Sequence, residues 1–368
     1  LRRQRQMCIR DRAELINILS NMVDTLVKET TTVTEDVSGS LLISAADGAT
    51  LKGIQIGGDL ILAPGVTKDV TLVDCVIQGN IRNYGTGEVR FEAPQITPES
   101  TATKPSEVYK PGATLDRTLE YGGKTVPIYR DRPLNVFSDV DFIWTGEENE
   151  NQRRLEYLGG EFRTRYGIDV SSFQGEIDWD AVADDNIDFA MVRVGFRGTG
   201  TGSLNTDKYY EQNIRGAMRA GLETGVYFFA QAVTVEEAIE EADYVISLLD
   251  GLDINGPVAY DWEMHDSTYR VYGTSPEMAT ACAVAFCERI KDAGYTPMVY
   301  GGTYVTYMKY DQGALADYLS WYPEYKSEKS EKLCPTLVYH MDYWQFSSSR
   351  AVAGINGRVD MNIQFIRR

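Results

Sequence analysis

The stretch PVAYDWE, residues 257–263, ends an apolar run on two acids, Asp261 and Glu263. Two apart on a strand, they project from the same face with backbones about 6.6 Å apart, and Trp262 between them faces the other way. A carboxyl pair of this kind can divide acid and base labour when one pKa is raised. A solvated pair at a strand end looks the same, so the motif alone is unspecific. Two more acids interrupt apolar strands: Asp169 between Ile168 and Val170, and Asp360 between Val359 and Met361. A carboxylate there is costly to bury without a partner or a purpose. Four acids on barrel strands with no compensating histidine point to a carbohydrate-hydrolase centre. Tyr227, Phe228, Tyr300, Trp321 and Trp344 at neighbouring strand ends are candidates for flat faces against sugar rings, with core packing as the bland alternative for each.

Other chemistries find little support. The two histidines, His265 and His340, and five cysteines without CxxC or zinc-finger spacing supply no metal centre. Cys282 and Cys287 fall on one helix about 140° apart and cannot easily bond to each other. The 36 Lys+Arg against 54 Asp+Glu leave a net charge of −18, which argues against nucleic acid because phosphate contacts need clustered cations. No run of about 18 apolar residues is present to span a membrane.

The elements that must position the acids lie after Tyr166. Short apolar strands at 167–171, 189–196, 225–230, 257–262 and 297–301 alternate with amphipathic helices, the pattern of parallel α/β structure. Thr234 and Glu237 form a capping box; Pro276 starts a second helix and Gly294 ends it. Beyond Tyr300 the pattern turns strand-like (YLSWYP, TLVYHM, YWQFS, VDMNIQF). The expected fold is α/β, a TIM-like barrel of about five β/α units plus β-rich closing strands, since no GxGxxG follows the first strand.

Upstream, TLKGIQIGGDLIL (50–62) aligns with TLVDCVIQGNIRN (71–83) at an offset of 21, matching Thr50/Thr71, Leu51/Leu72, Ile56/Ile77 and Gly58/Gly79. Such a repeat is a solenoid signature. Residues 37–95 therefore read as a short parallel β-helix module with Ile54, Ile56, Leu60, Cys75, Ile77 and Ile81 stacked inward, a spacer or wall-adhesion element whose polar positions (Asp59, Asp74, Asn80) converge on nothing. Residues 13–28 carry apolar side chains at helical spacing, so 13–36 is expected to hold a short helix. Residues 96–165 read as a linker, rich in Pro, Ser, Thr and Glu up to about 112, followed by an extended arm leaning on the barrel of 166–368. Residues 1–12 lack a signal-peptide core and read as an artefactual or disordered tail on a chain whose true start is missing, so the absence of a leader says nothing about export.

Several motifs together resemble one family. YGIDVSSFQGEIDW, FAMVRVGFRG, AGLETGVYFFAQA, PVAYDWE, AGYTPMVYG, YWQFSSS and GINGRVDMNIQF occur in the order of glycoside hydrolase family 25 lysozymes, the N-acetylmuramidases of bacteria and phages, over slightly more than half of the chain. The resemblance implies a peptidoglycan hydrolase cleaving the β-1,4 bond after N-acetylmuramic acid. Glu263 would be the general acid. Asp261 would either stabilise an oxocarbenium-like centre or orient the 2-acetamido group as an internal nucleophile, and Asp169 and Asp360 would be the remaining active-site acids. Like charges so close should raise at least one pKa. Tyr260 before the DWE and Gly301-Gly302 after Tyr300 depart from the common pattern and bear on substrate preference. The resemblance implies no cofactor, bacterial peptidoglycan glycan strands as partner, a monomeric catalytic domain and an extracellular or wall-associated location. A catalytically inactive wall-binding surface protein is the alternative. Chitin is disfavoured as a substrate because GPVAYDWE lacks the earlier acids of a DxxDxDxE run.

Overall fold

The computed structural model describes residues 25–73, 75–77, 81–92, 103–112, 114–146 and 153–368. The chain divides into two compact units, Leu1–Ser100 with Gly198–Ser203, and Thr101–Arg197 with Leu204–Arg368.

The first unit stacks small parallel sheets. One pairs Thr25–Val27, Leu41–Ile43, Leu60–Leu62 and Ile81–Asn83 in that order; a second runs Thr32–Val33, Ala49–Lys52, Val70–Val73 and Val89–Glu92; a third pairs Gln55–Ile56 with Val76–Ile77. Thr50 lies against Thr71, Leu51 against Leu72, Ile56 against Ile77 and Leu60 against Ile81, so the sequence repeat is the strand register. Strands of two to four residues have no stability alone; stacking lets Leu41, Leu51, Ile54, Ile56, Leu60, Leu72 and Cys75 form one dry core, each large side chain gaining about 1.5–3 kcal/mol. Gly58 permits the close stacking, since a Cβ there would lie 2.5 Å from Ser40 Oγ and 2.8 Å from its backbone nitrogen.

Two expectations fail here. The helix expected to run on to residue 28 gives way to a strand at Thr25–Val27, because Leu26 and Val27 pair with Leu42 and Ile43 and Val27 is buried; three residues are too few for helical and strand periods to be told apart. Ile81 is 39% exposed, since its strand is the last of its sheet and stacks on Leu60 from one side only. The tail, the helix at 13–24, Asp74 and Asn80 lie outside the described residues.

The second unit is a closed eight-stranded barrel: β1 (Phe162–Val170), β2 (Phe189–Arg197), β3 (Glu223–Ala230), β4 (Val258–Trp262), β5 (Pro297–Tyr300), β6 (Leu319–Pro323), β7 (Tyr343–Arg350) and β8 (Val359–Arg367). Helices α1 (Trp179–Asp184), α2 (Tyr210–Arg219), α3 (Val235–Leu248), α4 (Pro276–Asp292) and α5 (Thr303–Met308) follow the first five strands in turn. Neighbours β1 to β7 pair in parallel, whereas β8 runs antiparallel to both β7 and β1 and closes the ring. Side chains alternate between an interior layer (Phe189, Met191, Ala259, Met298, Tyr343) and an outer layer under the helices. Thr234 caps α3 through the Glu237 N–H at 3.2 Å, and Ser275 caps α4 ahead of Pro276.

The barrel unit begins earlier than expected. β1 starts at Phe162, which is buried and stacked on His340 at 4.9 Å. The arm is two hairpins, Leu115–Tyr121 with Lys124–Tyr129 and Phe142–Thr145 with Arg154–Tyr157. Val126, Ile128, Phe142, Trp144 and Leu155 belong to the outer core of the barrel itself. Within the expected linker, Pro105–Val108 form a helical turn, Val108 and Tyr109 pack on that core, and the Gly112 N–H donates to Asp311 Oδ2 at 3.0 Å. Two half-buried side chains and backbone donors to fixed acids outweigh a composition that argued for a free linker. TLVYHM (336–341) forms no strand, only a bridge between Tyr339 and Leu134, flanked by the Asn135 N–H donating to the Val338 carbonyl and the His340 N–H to the Pro133 carbonyl.

Candidate active site

The reversal of β8 brings the acids together. Asp169 is the last residue but one of β1, Asp261 the last but one of β4, and Glu263 follows β4 directly. Asp360 is the second residue of β8, but because that strand runs the other way its start lies at the rim where β1 ends, and Asp360 pairs directly with Asp169. All four carboxyl groups line one cleft of about 230 Å³. An adjoining hollow of about 430 Å³ shares Glu263, Tyr300 and Tyr325 with it, so the open space extends on both sides of Glu263.

Two of the four acids are held by side chains of other segments. Asp169 Oδ2 accepts the amides of Gln345 and Asn362, both at 2.8 Å. Those amides are anchored in turn: Asn362 Oδ1 accepts the Trp321 indole N–H at 2.8 Å, and Gln345 Oε1 accepts the hydroxyls of Tyr300 at 3.2 Å and Tyr325 at 3.1 Å. The Glu263 backbone carbonyl accepts Gln231 Nε2 at 2.8 Å, and Glu263 Oε2 lies 2.8 Å from His265 Nε2. Gln231 ties the end of β4 to α3, since its N–H donates to the buried Glu241 at 3.0 Å and its carbonyl accepts Arg270 at 2.8 Å. Arg197 completes this buried cluster at 2.8 Å from Glu241, whose carboxyl burial pushes up to about 7 against the pull of that cation. Asp261 Oδ1 is buried and has no hydrogen-bond partner among the described residues.

The electrostatics follow from burial and crowding. Desolvation, then the neighbouring Glu263 carboxyl and Asp169, push Asp261 well above the usual carboxylate range, with Arg193 opposing. Burial raises Asp169 to about 6, restrained by its two amide donors. Asp360 has no such donors among the described residues, and burial followed by repulsion from Asp169 and Glu263 pushes it up to about 8. Among the described residues no group of three or more His, Cys, Asp or Glu side chains is arranged to hold a metal ion, and no helix is long and apolar enough to cross a membrane.

Of the five aromatic candidates, Tyr227, Tyr300 and Trp321 line the cleft. Phe228 and Trp344 do not. Both are fully buried on the outer side of the barrel, Phe228 against Tyr244 of α3 and Trp344 against Phe142 of the arm, because strand alternation sends them opposite to Tyr227 and Gln345. Phe229, by the same alternation, lines the cleft, and so do Phe173, Gln174, Arg193, Tyr325 and Gln345, none of which the sequence reading singled out. Strict period-2 counting from Asp261 would have preferred Phe229 to Phe228 across the β3–β4 register. Phe173 and Tyr325 sit on loops and carry no such signal.

Comparison with known proteins bears on this geometry. The model of glycosyl hydrolases family 25 matches residues 168–355, which hold Asp169, Asp261 and Glu263. The autolytic lysozyme of Clostridium acetobutylicum is 26% identical over 197 residues, 53% of this chain and 54% of that protein. Lysozyme M1 of Streptomyces globisporus is 27% identical over 201 residues, 53% of this chain and 66% of that one. The chain thus spans about half to two thirds of the length of these relatives. A bacterial lysozyme structure from Streptomyces coelicolor aligns with 54% of this chain and 90% of its own at 25% identity and a TM-score of 0.44. With the family match extending over more than half of its residues, the chain belongs to glycosyl hydrolases family 25.

Proposed function

We propose that the protein hydrolyses the β-1,4 bond between N-acetylmuramic acid and N-acetylglucosamine in peptidoglycan. The observation that carries this reading is the convergence of Asp169, Asp261, Glu263 and Asp360 in one cleft lined by aromatic rings. Glu263 protonates the glycosidic oxygen as the bond breaks. Asp261, which lines the cleft beside Glu263, accepts the N–H of the substrate's 2-acetamido group and turns its carbonyl oxygen toward the anomeric carbon, the substrate-assisted variant of glycoside hydrolysis. Asp169 is fixed by two amides as a hydrogen-bond acceptor for the sugar, and Asp360 completes the polar rim. Tyr227, Tyr300 and Trp321 supply ring contacts, and no cofactor takes part. The names of the relatives, an autolytic lysozyme and lysozyme M1, support the same substrate and a place at the cell wall or outside the cell. The stacked parallel sheets form a β-helix module that serves as spacer or wall anchor.

The test is digestion of purified peptidoglycan with the full chain, the new reducing ends being read by mass spectrometry. Ends in muramic acid are expected, and Glu263→Gln is expected to lower the rate by about 100-fold or more at an unchanged melting temperature. Undiminished cleavage by that variant would remove Glu263 from the role of acid. Binding to sacculi with no release of ends would return the reading to an inactive wall-binding protein.

A further inference from the structure

We propose that Arg193 makes this cleft selective for an acidic sugar, its guanidinium binding a carboxylate that the glycan carries beside the bond to be cleaved. The inference rests on the muramidase reading above and names the residue that would set its substrate class. Arg193, on β2, is the one cationic side chain among the described residues lining the cleft, facing four carboxyl groups. Its position is rigid. Nε and Nη2 donate to Asp207 Oδ2 at 2.9 and 2.8 Å, and Nη2 reaches Ser172 Oγ at 3.2 Å. Asp207 is 1% exposed and is itself held by the N–H groups of Ser172 at 2.9 Å and Tyr209 at 3.0 Å. The rings of Phe173 and Phe196 lie 5.2 and 5.4 Å from the guanidinium carbon.

These contacts occupy one edge of the guanidinium. Nη1 has no hydrogen-bond partner among the described residues, and 14% of the side chain is exposed. A planar guanidinium with one edge fixed and its other nitrogen free is suited to a carboxylate, and being already ordered it loses little entropy on binding one. The charge balance makes the role specific. In a cleft otherwise lined by acids and neutral side chains, Arg193 is the one group among the described residues that can form a charge-assisted hydrogen bond to a carboxylate; a neutral N-acetylglucosamine polymer offers it no such partner. Muramic acid differs from glucosamine by its lactyl ether, whose carboxyl group is free in peptide-stripped chains and is linked in intact wall to a stem peptide that bears acids of its own.

The experiment compares cleavage of three glycans by the full chain, by Arg193→Gln and by Arg193→Lys. The glycans are peptide-stripped chains with free lactyl carboxylates, the same chains after chemical reduction of those carboxylates to alcohols, and peptide-bearing peptidoglycan. The unaltered protein is expected to favour an acidic glycan over the reduced one by about tenfold or more in kcat/KM. Arg193→Gln brings that ratio near one, mainly through KM, and Arg193→Lys restores part of it. Preference for free lactyl over reduced chains assigns the contact to the lactyl group; preference for peptide-bearing chains alone assigns it to the stem. Equal rates of the unaltered protein on acidic and reduced glycans overturn the proposal, a result that needs no variant to fold. Loss of both activities by the same factor in Arg193→Gln also overturns it, marking a structural role. Cleavage of no glycan by the unaltered protein would sink the muramidase reading itself, a different result from cleavage without preference.

Discussion

Asp169 and Asp360 stand opposite one another across β1 and β8, yet their surroundings differ. Asp169 has two amide donors and rises to about 6; Asp360 lacks them and rises to about 8. A carboxyl whose pKa is higher in the folded than in the unfolded chain keeps its proton longer when folded. Its contribution to stability is complete below the ordinary carboxylate pKa and is lost as pH rises through 6 and then 8. The barrel is therefore expected to be less stable at pH 8.5 than at pH 5, and Asp360→Asn to flatten that dependence. Urea unfolding at both pH values measures it, and an unchanged slope in the variant would show that Asp360 does not carry the effect. The acids were legible in the sequence because each interrupts an apolar strand. Gln345 and Asn362 were not, since a neutral amide in a strand gives no sign that it will face a carboxylate 2.8 Å away.

On the scale of single elements, strand alternation decides what a residue can do. Tyr227 and Phe229 line the cleft, while Phe228 between them is fully buried under α3. Phe228→Ala is expected to cost about 3–5 kcal/mol in unfolding free energy with little change in KM, because its side chain lies on the opposite face of the strand from the cleft. Denaturation and steady-state kinetics on one preparation check both halves, and a raised KM at full stability would contradict the assignment of faces. The repeat in the stacked sheets was readable to the residue, since identical side chains 21 apart pair in register. The segment at 25–28 was not: its backbone could form hydrogen bonds within a helix or with Leu41–Ile43, and only the presence of that partner strand selects the second.

On the scale of the whole molecule, the barrel unit is larger than the family match. Leu155 is fully buried and Trp144 nearly so, and both sit in the barrel's outer core although they precede residue 168. Leu155→Ala is expected to lower the stability of the barrel by about 2–5 kcal/mol, read by thermal unfolding followed through tryptophan fluorescence; an unaltered transition would mean that the arm is detachable. The sequence alone determined the family resemblance, the order of barrel elements and the register of the stacked sheets, because these depend on local period and on which residue types occur at strand ends. Tertiary structure alone decided that Asp360 reaches Asp169, that Arg193 stands among the acids, that Phe228 and Trp344 turn away, and that the arm is part of the core. Each of these depends on where segments distant in the chain close upon one another, and local sequence patterns do not encode that closure.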